Sequence, residues 1–160
     1  MPIEPSWYEQ QLLAKLAEPI ADGRIAIVRE IEPLVKGLAQ RFPILVNRIN
    51  WQAVPGAEAL DAPPERATSS FQLVEPATEL RAFWERMRRV HNIDDDAEII
   101  VFGDALLDVA LRLSVRSFTQ YLVEILRIPH HTYVFPSDWS WCFNYTMEDD
   151  ANFGTPPVNG

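Results

Sequence analysis

Trp139-Ser140-Trp141-Cys142-Phe143-Asn144-Tyr145-Thr146-Met147-Glu148 alternates large apolar and smaller polar side chains without a break. Trp139, Trp141, Phe143, Tyr145 and Met147 fall on one side, and Ser140, Cys142, Asn144, Thr146 and Glu148 on the other. A period of two is the pattern of a half-buried antiparallel strand. Upstream, Pro136-Ser137-Asp138 reads as a turn and His130–Phe135 as the hairpin partner. Downstream the strand runs straight into Glu148, Asp149 and Asp150. An aromatic strand that ends in a block of negative charge suits a docking surface better than a catalytic pocket.

Working outward from the hairpin, Leu107, Ala110, Leu111, Phe118, Leu122, Ile125 and Leu126 predict a long helix over 105–127, capped by Asp104 and stopped at Ile128-Pro129. Glu98-Ile99-Ile100-Val101-Phe102 reads as a strand buried on both faces, and Asn92 with Asp94-Asp95-Asp96 as an acidic loop before it. Pro76 suits the first position of a helix. Leu80, Phe83, Trp84, Met87 and Val90 then recur at helical spacing through His91, with Arg81, Glu85, Arg88 and Arg89 opposite. Nearer the N-terminus, Ser6 to Glu9 has the form of a capping box, opening a helix that Pro19 and Asp22-Gly23 end. Residues 24–41 are expected to be mostly helical, 44–54 extended, 55–69 a loop rich in Ala and Pro, and 70–74 a short strand. The expected architecture is α+β: one domain over residues 1–154 and a flexible tail over 155–160. A small, mainly antiparallel sheet with a C-terminal hairpin packs against the long helix and two to four further helices.

The chain of 160 residues is 48% hydrophobic and 23% charged, ordinary for a globular protein able to bury its own core. No apolar run reaches the roughly 18–20 residues that span a bilayer, so no membrane role is expected. Met1-Pro2-Ile3-Glu4-Pro5 is not a secretory signal, and one cysteine, Cys142, forms no internal disulfide; a cytoplasmic location is the expectation. The net charge of −9 is lopsided. Residues 93–160 hold 11 acids and 3 bases, a balance of −8, against −1 for residues 1–92. Such a field repels nucleic acid and anionic lipid and attracts a basic protein partner.

Motifs for bond-making chemistry are weak. The six glycines make no phosphate cradle, and no cofactor is called for. One Cys with His91, His130 and His131 lacks the spacing of a zinc site, and neighbours on a strand point to opposite faces, so no metal is expected. A hairpin turning at 136–138 brings Cys142 near His131, but a lone strand cysteine is more simply a buried small hydrophobe. The enzymatic alternative is a hydrolase or Mg²⁺-dependent nuclease using Asp104 or the acidic runs; consecutive carboxylates diverge, which disfavours a metal cage. Arg81, Arg86, Arg88, Arg89 and His91 form a basic helix patch, better satisfied by the acidic loop at 94–96 than by RNA. Of the five tryptophans, Trp139 lies at the hairpin turn, where exposure is easiest, and is the expected anchor for a partner.

Four segments in order carry a resemblance: Leu-Arg-Ile-Pro at 126–129, His-His-Thr-Tyr-Val-Phe at 130–135, Asp-Trp-Ser-Trp-Cys-Phe-Asn-Tyr-Thr-Met-Glu at 138–148 and Asn-Phe-Gly at 152–154. This final third resembles the C-terminus of immunity proteins of bacterial polymorphic and contact-dependent growth-inhibition toxin systems. The resemblance implies a compact, often acidic, non-enzymatic protein that neutralises a toxin by covering its active site or a nearby surface. Partner contacts would then come from Trp139 with Glu148, Asp149 and Asp150, joined by Asp94, Asp95 and Asp96 if the hairpin packs beside that loop. An adaptor subunit of a larger bacterial or phage-derived assembly would share this surface logic.

Overall fold

The computed structural model describes residues 7–45, 48–60, 76–103, 109–126, 131–146 and 151–157. These form an α+β fold built on one seven-stranded antiparallel sheet. In chain order the elements are α1 (Trp7–Lys15), α2 (Ala17–Ala21), β1 (Ile25–Val28), α3 (Glu32–Arg41), β2 (Ile44–Leu45), β3 (Arg48–Ile49), a 3₁₀ turn (Trp51–Ala53) and β4 (Glu58–Leu60). Then follow α4 (Pro76–Val90), β5 (Glu98–Gly103), β6 (Ala110–Ser114), α5 (Val115–Gln120), α6 (Leu122–Leu126), β7 (His131–Pro136), β8 (Cys142–Thr146) and β9 (Ala151–Gly154). The strand order is β1-β6-β5-β7-β8-β9-β4, and β2 and β3 make a separate small pair.

The C-terminal hairpin forms as its alternation predicts, with Thr132 opposite Tyr145 and Val134 opposite Phe143. Its two faces, however, are both covered. Trp141, Phe143 and Tyr145 join one apolar cluster with Leu12, Phe83, Trp84, Met87, Phe118 and Leu122; Cys142 joins another with Leu38, Phe42, Phe102 and Phe135. Asn144 and Thr146 are buried as well. Within β8 the polar half of the alternation, Cys142, Asn144 and Thr146, is therefore interior, and the bonds of Asn144 make this tolerable. Its Nδ2 donates to the Thr132 carbonyl at 3.0 Å, and its Oδ1 accepts from the Trp51 indole at 3.1 Å. The sheet thus lies between two layers: α1, α2, α4, α5 and α6 on one face, and α3 with the β2–β3 pair on the other.

The long helix expected over 105–127 is corrected. Ala110–Ser114 is a strand, central between β1 and β5, and the helical part is two short pieces. Leu111 and Leu113 enter the first cluster while Ala110 enters the second, the alternation of a strand. Ser114 then starts α5: its Oγ accepts the Ser117 N–H at 3.1 Å, satisfying a free helix-terminal donor. The expectation for Asp104 lies outside the described residues, as does the strand over 70–74.

Other boundaries shift for similar local reasons. Ile25–Val28 is edge strand β1, not helix. Pro19 sits buried inside α2, which continues to Ala21. The extended stretch from Ile44 breaks into β2, β3 and a 3₁₀ turn, because the chain folds back so that the Asn50 N–H reaches the Pro43 carbonyl at 2.8 Å. Within the expected 55–69 loop, Glu58–Leu60 pairs with β9. Helix α4 begins at Pro76 and ends where Asn92 takes a left-handed φ of 53°. The Asn92 and Ile93 N–H groups bond back to the Arg89 and Arg88 carbonyls, closing the helix end. No helix of the described residues is long and apolar enough to cross a membrane.

Candidate functional site

Strand register sets Asp94-Asp95-Asp96 and the described flanks of 147–150 at opposite ends of the sheet, against the condition under which the two acidic runs would share a patch. Ile99 stands opposite Pro136, and Gly103 opposite Thr132. Asp94-Asp95-Asp96, just before β5, therefore belongs to the Pro136 end of the sheet. Thr146 and Ala151, which flank 147–150, belong to the other end, where Thr146 faces His131 and Tyr145 faces Ala151. Five strand steps at ~3.4 Å put the two ends roughly 17 Å apart. That is about two Debye lengths at physiological salt, so exposed charges at the two ends act independently.

The loop at 94–96 is largely occupied with its own structure. Asp95 pairs with Arg88, which also bonds Glu85, and Asp96 accepts from Arg116 Nη1 at 2.7 Å. Asp94 Oδ1 caps the loop by accepting the Asp96 N–H at 2.8 Å. The backbone adds to this clamp: the Arg116 N–H donates to the Asp95 carbonyl and the Val115 N–H to the Ala97 carbonyl. Asp94, Asp95 and Asp96 thus fasten α4 and α5 to the start of β5. Of the expected basic helix patch, Arg88 makes the pairing with this loop. Arg81 on that face donates to the Thr119 carbonyl at 2.7 Å, and Arg86 lies over the Phe83 ring, so much of the basic patch is internally engaged.

Trp139 is half-buried, and the exposure on which its anchor role rested is not there in full. Its φ of 61° breaks the alternation and turns the ring onto the opposite face from Trp141. It stacks on Phe135 at 4.4 Å and 15° and presses against the backbone of α3 at Gly37. The turn around it is held by the Trp139 N–H to the Pro136 carbonyl and by Asp138 Oδ1, which accepts the Ser140 N–H. Those Ser140 bonds hold the Asp138 carboxyl below the usual carboxylate range.

Cys142 is fully buried, and burial pushes its thiol pKa far up, the opposite of an activated nucleophile. The register also corrects its supposed neighbour: Cys142 lies beside Phe135, while His131 stands opposite Thr146, four residues along β8. Among the described residues no group of three His, Cys, Asp or Glu side chains could hold a metal ion. Two open cavities, of about 320 and 350 Å³, are lined by Gln40, Arg41, Phe42, Pro43, Ala53 and Pro157, and by Glu85, Arg88, Arg89, Asn92 and Ile93. Neither contains a histidine or a carboxylate pair.

What the topology does gather is a set of chain segments at the His131 end. Gly103 and Val109 flank 104–108, and Thr146 and Ala151 flank 147–150. By sequence these segments hold Asp104, Asp108, Glu148, Asp149 and Asp150 and no base. The five residues themselves lie outside the described set; their described neighbours all sit at one end of β5, β6, β8 and β9. Sequence reasoning singled out Glu148, Asp149, Asp150 and Asp104 separately. That their described neighbours share one end is visible only in the register. Comparison of the chain with protein-family models and with curated proteins finds no match.

Proposed function

We propose that this chain is a non-catalytic protein-binding module for a basic partner, of the toxin-neutralising kind that its C-terminal third resembles. Docking is at the His131 end of the sheet, and Glu148, Asp149 and Asp150 are joined there by Asp104 and Asp108 in place of Asp94, Asp95 and Asp96. The observation that supports this is that the described flanks of 104–108 and 147–150, Gly103, Val109, Thr146 and Ala151, share one end of the sheet, while the two segments carry five acids and no base in the sequence. Internal ion pairs cannot remove the charge: 23 acids against 14 bases leave a net −9 however they pair. At the opposite end Arg88, Arg112 and Arg116 are paired with Asp95, Glu98 and Asp96. Arg29 and Glu30, which follow β1 at this same end, offset each other, and a net negative field speeds encounter with a cationic surface more than it tightens the final complex.

The test is co-expression with the product of the adjacent gene, followed by co-purification and a growth-protection assay. Reversing Asp104, Asp108, Glu148, Asp149 and Asp150 to Lys should lower the association rate about 10- to 100-fold at low salt and flatten its salt dependence. Asp94→Lys, at the other end, should leave it unchanged. Absence of both complex and protection refutes the binding role. Equal effects of the two sets of substitutions refute the placement of the surface.

A further inference from the structure

The two layers on the sheet are unequally held. The layer of α1, α2, α4, α5 and α6 contributes eleven buried apolar side chains to its cluster, among them Trp84, Phe118 and Leu122. Among the described residues, the layer of α3, the β2–β3 pair and the 3₁₀ turn contributes four: Leu38, Phe42, Ile49 and Val54. Segments with fewer buried apolar contacts open more readily than the rest of a fold.

Besides the bond from the Trp51 indole to Asn144, this thinner layer is fastened at Trp139 by two locally unfavourable choices that match each other. Trp139 holds a left-handed φ of 61°, which bulky side chains rarely adopt. Gly37 occupies the interior of α3, where glycine weakens a helix. Each makes sense only through the other. A Cβ on residue 37 would lie 2.2 Å from Trp139 Cζ2 and 2.7 Å from Cη2, so the helix can approach the indole only as glycine. The other face of that indole is stacked on Phe135. Strain retained at a defined contact points to a role for that contact beyond packing.

We propose that α3, the β2–β3 pair and the 3₁₀ turn form a hinged cover over the second face of the sheet, opening as a unit, with Trp139 against Gly37 as its latch. The cover is bounded by β1 and β4, the two edge strands, so it can lift while the five inner strands stay paired. Opening uncovers Phe102, Tyr133, Phe135 and Cys142. It leaves the larger cluster on the other face intact. The lone thiol is a built-in reporter, because Cys142 is fully buried on the covered face.

The experiment is native-state labelling of Cys142 with Ellman's reagent across a urea series, beside global unfolding followed by circular dichroism. The expected result in the unaltered protein is labelling whose urea slope is intermediate at low denaturant and merges with the global line at high denaturant. A full global slope from zero urea means that the face opens only on complete unfolding, and overturns the cover. A flat slope means fraying of the 136–141 turn alone, and also overturns it. Trp139→Ala and Gly37→Ala should raise labelling at zero urea at least tenfold beyond any change in the global unfolding constant. Equal changes in the two overturn the latch.

Discussion

Trp84→Ala should remove a large share of the stability of this fold. The indole is fully buried and meets three other rings: Phe118 at 5.1 Å edge-on, Phe143 at 5.2 Å and Trp141 at 5.8 Å. It joins α4, α5 and β8 at one point. Its Nε1 donates to Thr119 Oγ1 at 2.9 Å. Truncating a buried Trp to Ala costs about 3–5 kcal/mol, the lower end applying where neighbours collapse into the void. Here the neighbours are themselves rings locked in edge contacts, which argues for about 4 kcal/mol, the upper half. The hydroxyl of Thr119 keeps its bond to the Val115 carbonyl at 2.8 Å, so no orphaned group adds to that figure. With a urea slope of about 2 kcal/mol/M, the unfolding midpoint should fall by about 2 M. Since whole domains have only about 5–15 kcal/mol, the variant should retain about 1–11 kcal/mol and stay folded at 25 °C with a reduced margin. The assay is equilibrium urea unfolding by far-UV circular dichroism. Trp7→Ala serves as the control, because Trp7 is 64% exposed and should cost under about 0.5 kcal/mol. A Trp84→Ala midpoint within about 0.5 M of the unaltered protein would refute the argument that these four rings organise the core.

Asn92 in its left-handed conformation should accept glycine with a small gain, while Asn92→Ala costs about 1 kcal/mol, both read from thermal melts. Ser114→Ala removes the cap on α5 and should cost about 1 kcal/mol by urea titration; Ser114→Asp should restore most of it. Asp138 has a depressed pKa when folded, so its contribution is present above the ordinary carboxylate range and is lost as pH falls through that range and below. Asp138→Asn should therefore be less stable than the parent at neutral pH, with the gap closing in acid-dependent melts.

The hairpin and helix α4 were legible because each shows one uninterrupted period, two in the first and 3.6 in the second. The burial of both hairpin faces was not. Cys142 reads as a buried small hydrophobe, but Asn144 and Thr146 fall on the polar side of a half-buried strand, and only the Trp51 indole and Thr132 carbonyl, distant in sequence, reveal why Asn144 can be interior. The stretch around Ala110–Ser114 misled for a related reason. Ala110, Leu111, Phe118 and Leu122 fit a helical period, and five strand residues are too few to outweigh it. Ser114 before Ser117 was the local signal of a helix start, and it was overlooked. The candidate surface was half legible: acidic runs are plain in a sequence, but which end of a sheet they occupy depends on strand order. Trp139 was misplaced because a positive φ reverses the direction of a side chain, and no pattern of residue types announces that at a tryptophan.

The strand order has a consequence for how the chain is made. The first sixty residues supply only the two outer strands, β1 and β4, whereas all five inner strands come from residues 98–154. A ribosome adding roughly 5–20 residues per second needs several seconds to deliver that later stretch. During this interval the greasy side of α4, with Leu80, Phe83, Trp84 and Met87, has little of its cluster beyond Leu12, Leu16 and Ile25 to rest on. The nascent polypeptide should therefore lean on trigger-type chaperones until translation is nearly finished, and prematurely terminated products should be cleared by proteases without ever becoming native.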